Sequence, residues 1–451
     1  MRTDMKADIE CCYDLQVPSM YKALGISGRS PLIDLPTLYW PESFPIDVMH
    51  LILEGIVPRT FAIWVEAAKS KSPIVEDLTG LGKDIKDCKY NVPAALARSP
   101  EDVCQNHNSY RAQNWFDFLQ LFAHPLLDGR ASPDVRKNMA LLARIYSIAT
   151  QEQISPADLG FMDRAVKEFV ESYECLYTDP TVCTSNLHGL LHLPECIKNC
   201  GPAWAYWQFT MEKTCGNVVR LLQGKKLKDE NLANAILLNE QINLLRWRNP
   251  GVRLSWEEVF LSRDANPRVG DVLDRIQTPS PFTNEQINAI LEYFDIDRSS
   301  AQGHDMVNLL QQKAVHFRKY QANSEDIVSG KCATTGPSSR CRQYVNCQNI
   351  NNEVFFGEVA RIFSFHDQRR EHNLALLHVF QDVQHSDDFY GRVQKLRSRD
   401  SYLVCIDVTD IDCAVGIISN TFIQSEYILN RNWVDCDPNS EMVYEDLLFI
   451  A

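Results

Sequence analysis

Two patterns and one gap between them predict a mainly α fold followed by a small C-terminal β domain. Between about residues 46 and 248, apolar residues recur at helical spacing, in runs such as RAQNWFDFLQLFAHPLL and MALLARIYSIAT. From Val354 the period changes to two, in EVFFGEVARIFSF, LALLHVFQDV and YLVCIDVTDIDCAVGII. The stretch between them is polar. A chain of 451 residues suggests two or three domains. The boundaries fall at 1–45 (an irregular arm), 46–248 (a helical domain), 249–349 (a polar connection with short helices) and 350–451 (the β domain).

Each element has a local reason. GISGRSPLIDLPTLYWPESFP is rich in Gly, Ser and Pro, and reads as an extended loop. Asp47 is a suitable N-cap for a helix through Leu51, Ile52 and Ile56 to a break at Pro58. TFAIWVEAAKS continues as a second helix, and residues 70 to 110 read as loops and turns. Trp115, Phe118, Leu119 and Phe122 make a helical stripe. Ser132-Pro133-Asp134 and Ser155-Pro156-Ala157-Asp158 open two more helices, with proline where an unused N–H costs nothing. ENLANAILLNEQINLLRW is a further helix, with modest ones near Asn284–Phe294 and Asp305–Arg318. SGKCATTGPSSRC is linker-like.

Composition narrows the function classes. A net charge of −14 argues against a surface that is wholly a nucleic-acid glove, and leaves room for a local basic groove. No run of eighteen apolar residues suggests a membrane span. The opening MRTDMKADIECC has no apolar stretch of the secretory kind. Fifteen cysteines without a short regular framework fit reduced thiols, in cytosol or nucleus.

The chemistry concentrates in HGLLHLPECIKNCGPAWAYWQFTMEKTCG, from His188 to Gly216. His188 and His192, four apart on a helix, share one face and can grip one ion. The ordinary alternative is a pair of partly buried histidines bonded to backbone carbonyls. Cys196 and Cys200 continue the spacing, but one helix cannot wrap a tetrahedral ion with four successive side chains, and Pro194 interrupts it. Two further ligands must come from elsewhere, and Asp47 with His50 in FPIDVMHLILEGI is the best candidate. Alone, Asp47 is a cap and Glu212 a surface acid. Cys104 with His107, and Cys332 with Cys341 and Cys347, are weaker metal-like spacings in loop sequence.

FPIDVMHLILEG, then Arg111-Ala-Gln-Asn-Trp115, then NLHGLLHLPECIKNCGPAWAYWQFTMEKTCGNV together resemble the distal half of the Tnp2-type transposases of CACTA elements, fungal versions above all. The similarity runs over about residues 20–245 in order and spacing. It implies the helical insertion and C-terminal part of an RNase H-like catalytic core. In that core two aspartates and a glutamate hold two divalent ions that activate water or a DNA 3′-hydroxyl. It implies a structural Zn²⁺ held by Asp47, His50, His188 and His192, with Glu212 as the third catalytic acid. Lys213 stands where the family usually has arginine, which keeps the charge and loses the bidentate grip. Mg²⁺ or Mn²⁺ is implied only for a complete core. The two aspartates belong upstream of GISGRSPL, where this chain offers only Asp4, Asp8 and Asp14. The expected function is therefore a truncated or degenerate cut-and-paste DNA transposase, inactive alone. The alternatives are a non-enzymatic interaction or DNA-associated scaffold, and a complete transposase whose start is mis-called. The implied partners are element-terminal DNA and a second copy of the chain, with no membrane.

Overall fold

The computed structural model describes residues 31–39, 42–93, 96–97, 100–221, 228–248, 271–277, 279–322, 327–329, 343–348, 353–367, 370–385 and 393–429. Asp4, Asp8, Asp14, Cys332, Cys341 and the SGKCATTGPSSRC stretch beyond Ser329 lie outside them. About 52% of the described residues are helical and 22% are strand. This corrects the expected mainly α, RNase H-like reading: the strands form a curled antiparallel half-barrel and a second sheet. The chain divides into two compact units, Met1–Trp64 with Pro133–Gly216, and Val65–Ser132 with Asn217–Ala451.

The first unit is helical. Pro133–Ala149 and Pro156–Leu176 form a hairpin. Ser155 opens the second helix with a closed capping box: its hydroxyl accepts from the Asp158 N–H, and Asp158 accepts from the Ser155 N–H. Met162, Val166, Phe169 and Tyr173 bury one face. Val57–Ala67 joins them through hydrogen bonds: Trp64 Nε1 donates to Tyr177 Oη at 2.9 Å, and Thr60 Oγ1 to Tyr173 Oη at 3.3 Å. Met49–Ile56 precedes that helix without a break and has wider π-helical turns, a geometry often found at functional sites. Ser185–Leu190 lies against it at short range. A Cβ on Gly55 would stand 2.3 Å from Asn186 Nδ2 and 2.9 Å from the His50 carbonyl, and one on Gly189 3.1 Å from Leu51 Cδ1. Glycine at both positions permits the approach.

Among its described residues the second unit holds twelve strands: β1 Val272–Arg275, β2 Val315–Gln321, β3 Ile327–Ser329, β4 Tyr344–Gln348, β5 Val354–His366, β6 Glu371–Phe380, β7 Val383–His385, β8 Val393–Leu396, β9 Ser401–Asp407, β10 Ile411–Ala414, β11 Gly416–Asn420 and β12 Ser425–Leu429. All the pairings are antiparallel. Long β5 organises the first sheet. β6 runs along one edge, while β4 and then β2 share the other. A register shift between Val359 and Arg361 bends the strand where the partner changes. Successive residues face opposite ways: Ile362 enters one core with Val345 and Leu377, and Phe363 the other, under the helices Asn284–Tyr293 and Ala301–Lys313. The second sheet runs β11-β12-β8-β7.

Among the described residues strands therefore begin at Val272, well before Val354. Residues read as a polar connection supply β1 to β4 and both covering helices. β2, VHFRKYQ, carries four polar residues in seven and conceals its period. The early helix Leu78–Asp87 belongs to this unit. Arg130, with no side-chain exposure, donates to Asp84 at 2.8 Å, Asp77 at 3.3 Å, Asn420 Oδ1 and the Leu126 carbonyl. Asp84 in turn accepts from the Thr421 N–H and hydroxyl at 3.0 and 2.8 Å, just past β11. No helix among the described residues is long and apolar enough to cross a membrane.

Candidate functional site

The site lies in the first unit, where two segments remote in sequence meet. Asp47 stands just before the helix Met49–Ile56, and its carboxylate is fully engaged. Oδ1 accepts from the N–H of Met49 at 3.4 Å and from the N–H of Gln208 at 3.0 Å; Oδ2 accepts from the N–H of His50 at 3.2 Å and from the His50 ring Nδ1. Gln208 is the residue before the helix Phe209–Leu221, and Glu212 sits in that helix's first turn. One carboxylate thus secures the start of both helices.

This brings Glu212 to the Asp47 helix. His50 Nε2 lies 4.0 Å from Glu212 Oε1 and 3.7 Å from Glu54 Oε2. The side chains of His50, Glu54 and Glu212 are 48%, 41% and 64% exposed, whereas Asp47 is 15% exposed. The face presented to solvent is one imidazole edge between two carboxylates. Glu54 is the residue the sequence reading missed. Its signal was present, because Asp47, His50 and Glu54 recur at a spacing that places them along one helix face.

His188 and His192 meet each other instead, with their Nε2 atoms 3.2 Å apart and one ring N–H donating to the other. His188 lies in the last turn of the short helix Ser185–Leu190, and His192 precedes Leu193–Cys200. Burial, foremost, and the neighbouring His188 charge hold the His192 imidazolium below its usual range. Among the described residues no three His, Cys, Asp or Glu side chains form a group that could hold a metal ion. The structure brings Asp47 together with His50 and Glu212, and His188 with His192, as separate groups.

Cys196 and Cys200 have a local role. The Ile46 N–H donates to Cys196 Sγ at 3.2 Å, and the Cys200 thiol reaches the Glu42 carbonyl at 3.5 Å. The two thiols therefore hold the chain that leads into Asp47. Burial, then the adjacent Cys196, raise the Cys200 thiol above its ordinary range, which disfavours the thiolate a metal would need. Trp115 of the Arg111–Trp115 motif belongs to the other unit, buried against Tyr110 and Phe118. Cys104 donates to the Leu78 carbonyl at 2.8 Å, and the His107 ring stands 3.3 Å from the Cys104 carbonyl. No protein-family model, curated protein or solved structure matches the chain.

Proposed function

We propose that this chain is a relative of the CACTA-element transposases that engages DNA without cutting it on its own. The observation that supports the reading is the meeting of FPIDVMH with WQFTMEK. These are two of the segments that carry the resemblance, and they are joined by the Gln208 N–H to Asp47 bond and by the approach of His50 to Glu212. Phosphodiester cleavage by two ions needs several carboxylates shared between metals about 3.5–4 Å apart. Among the described residues around Glu212 the carboxylates are Glu54 and Asp47, and Asp47 is committed to four N–H donors. That set does not support a metal pair. A DNA-bound role places the protein in the nucleus.

The test uses purified full chain with labelled duplex DNA and Mg²⁺ or Mn²⁺. The expected result is retardation of the duplex that weakens steeply with salt, as phosphate contacts require, without nicked or joined products. Cleavage that disappears in Glu212→Ala would overturn the inactivity. Failure to retain duplex DNA at low salt would remove the DNA reading. A scaffold role is favoured by one feature, the helix Lys228–Arg248, whose Leu237, Leu238 and Leu244 are all more than half exposed.

A further inference from the structure

We propose that the cavity between the helices Pro133–Ala149 and Pro156–Leu176 is a binding site for an alkylammonium group, with Asn138 Oδ1 accepting an N–H and Asp134 and Glu168 balancing the charge. The proposal requires no DNA and stands apart from the transposase reading.

The cavity has a volume of about 280 Å³, near the lower end of the about 300–1,000 Å³ usual for small-ligand pockets. The feature that points to a ligand is Asn138 on its wall, a side chain only 2% exposed. Its Nδ2 donates to the Phe169 carbonyl at 3.1 Å and to Ser172 Oγ at 2.6 Å. The Ser172 hydroxyl itself donates to the same carbonyl at 3.0 Å. A backbone carbonyl can only accept, so the amide is held with its nitrogen toward Phe169, and the opposite flip is excluded. Oδ1 is left shielded from water, with no donor to it among the described residues. Buried polar atoms are ordinarily satisfied, and an unmet acceptor beside a cavity calls for a donor from outside the chain.

The surrounding charges say which donor. Asp134 lies four residues before Asn138, on the same helix face and next to it along the axis. It is exposed and has no cation paired with it among the described residues. Across the cavity, Glu168 holds the Lys137 ammonium at 3.0 Å, with both side chains about half exposed and able to swing aside. The cavity thus carries two carboxylates against one ammonium, and an entering cation restores the balance. Leu141 and Leu176 add apolar wall, which an alkyl chain covers better than water does. An ammonium with its three donors can meet Asn138 Oδ1 and both carboxylates at once. Lys137 is then a competitor for Glu168, which gives the proposal a consequence that a purely structural role for these residues does not have.

The Cys175 thiol, exposed and on the cavity wall, reports occupancy. n-Butylammonium would be titrated into the intact chain, and iodoacetamide alkylation of Cys175 followed by peptide mass spectrometry. The exposed Cys183 and Cys215 serve as controls outside the cavity. The expected result is saturable slowing at Cys175 by at least about threefold, none at the controls, and none with n-butanol, which lacks the charge. Asn138→Leu should raise the half-saturating concentration by at least about tenfold, and Asp134→Asn by about threefold. Lys137→Met should lower it by about threefold, because Glu168 is freed for the ligand. A blocked lysine tripeptide that protects Cys175 as well as the free amine does would assign the group to a protein side chain; protection by the free amine alone assigns it to a small amine. No saturable protection, equal protection by n-butanol, or an unchanged half-saturation in Asn138→Leu overturns the proposal. Should Asn138→Leu fail to fold by circular dichroism, the surface variant Lys137→Met decides: unchanged or weakened binding there overturns it.

Discussion

The Asp84–Arg130 pair allows a quantitative test of how the second unit is held together. In Asp84→Ala, the Arg130 guanidinium, with 0% side-chain exposure, loses its 2.8 Å partner. Asp77 at 3.3 Å remains, but it is 41% exposed and screened by water. Breaking a buried pair by removing one end costs about 3–5 kcal/mol, because a desolvated charge is left behind. The Thr421 N–H and hydroxyl also lose their acceptor, which adds about 1–3 kcal/mol if water cannot replace it. A loss of about 4 kcal/mol or more is therefore expected, against a typical domain stability of about 5–15 kcal/mol. Urea unfolding followed by circular dichroism measures it. The double variant Asp84→Leu with Arg130→Met should recover at least about 1 kcal/mol of that loss, since no uncompensated charge stays buried. The exposed Lys69–Glu66 pair is the control: it is shorter, at 2.6 Å, yet Lys69→Ala should cost less than about 1 kcal/mol. If Asp84→Ala shifted stability by no more than the Lys69 control, the reasoning about burial would fail.

Two further outcomes can be checked by the same method. His316 lies between Phe282 and Phe363, and burial, then the Arg361 charge, push its pKa down to about 4. The unfolded chain takes up the proton first, so the contribution of His316 is whole above about pH 6.5 and is lost as pH falls toward 4, by up to about 3 kcal/mol. The difference in stability between the parent and His316→Leu should therefore change over that window. A pH-independent difference would contradict the assignment. In the first unit, Tyr177→Phe removes the acceptor of the buried Trp64 Nε1–H and should cost about 1–3 kcal/mol; a neutral change would mean that water or another group takes the proton.

What the sequence determined by itself was local. Capping chemistry at Ser155 and the Pro-initiated starts at Pro133 and Pro156 placed helices where they occur, because those signals act within one turn. The alternation from Val354 marked true strands for the same reason. Asp47, His50 and Glu212 were visible as candidates, and Glu54 lay in the same quoted run at readable spacing. The tertiary structure decided the rest. β1, β2 and β4 are short and partly polar; β2 and β4 depend on β5 for their pairing and β1 on β2, so no period within them announces a strand. The assignment of residues 65–132 to the β-rich unit depends on Arg130 and Asp84 bonding to residues 290 and 337 positions away. At the site, Asp47 had the chemistry of a helix cap or of a metal ligand, and the sequence could not choose between them. The Gln208 N–H, 161 positions along the chain, completes the engagement of its carboxylate and ties Glu212's helix to His50. That choice is made by which donors packing brings within 3 Å, and no residue spacing encodes it.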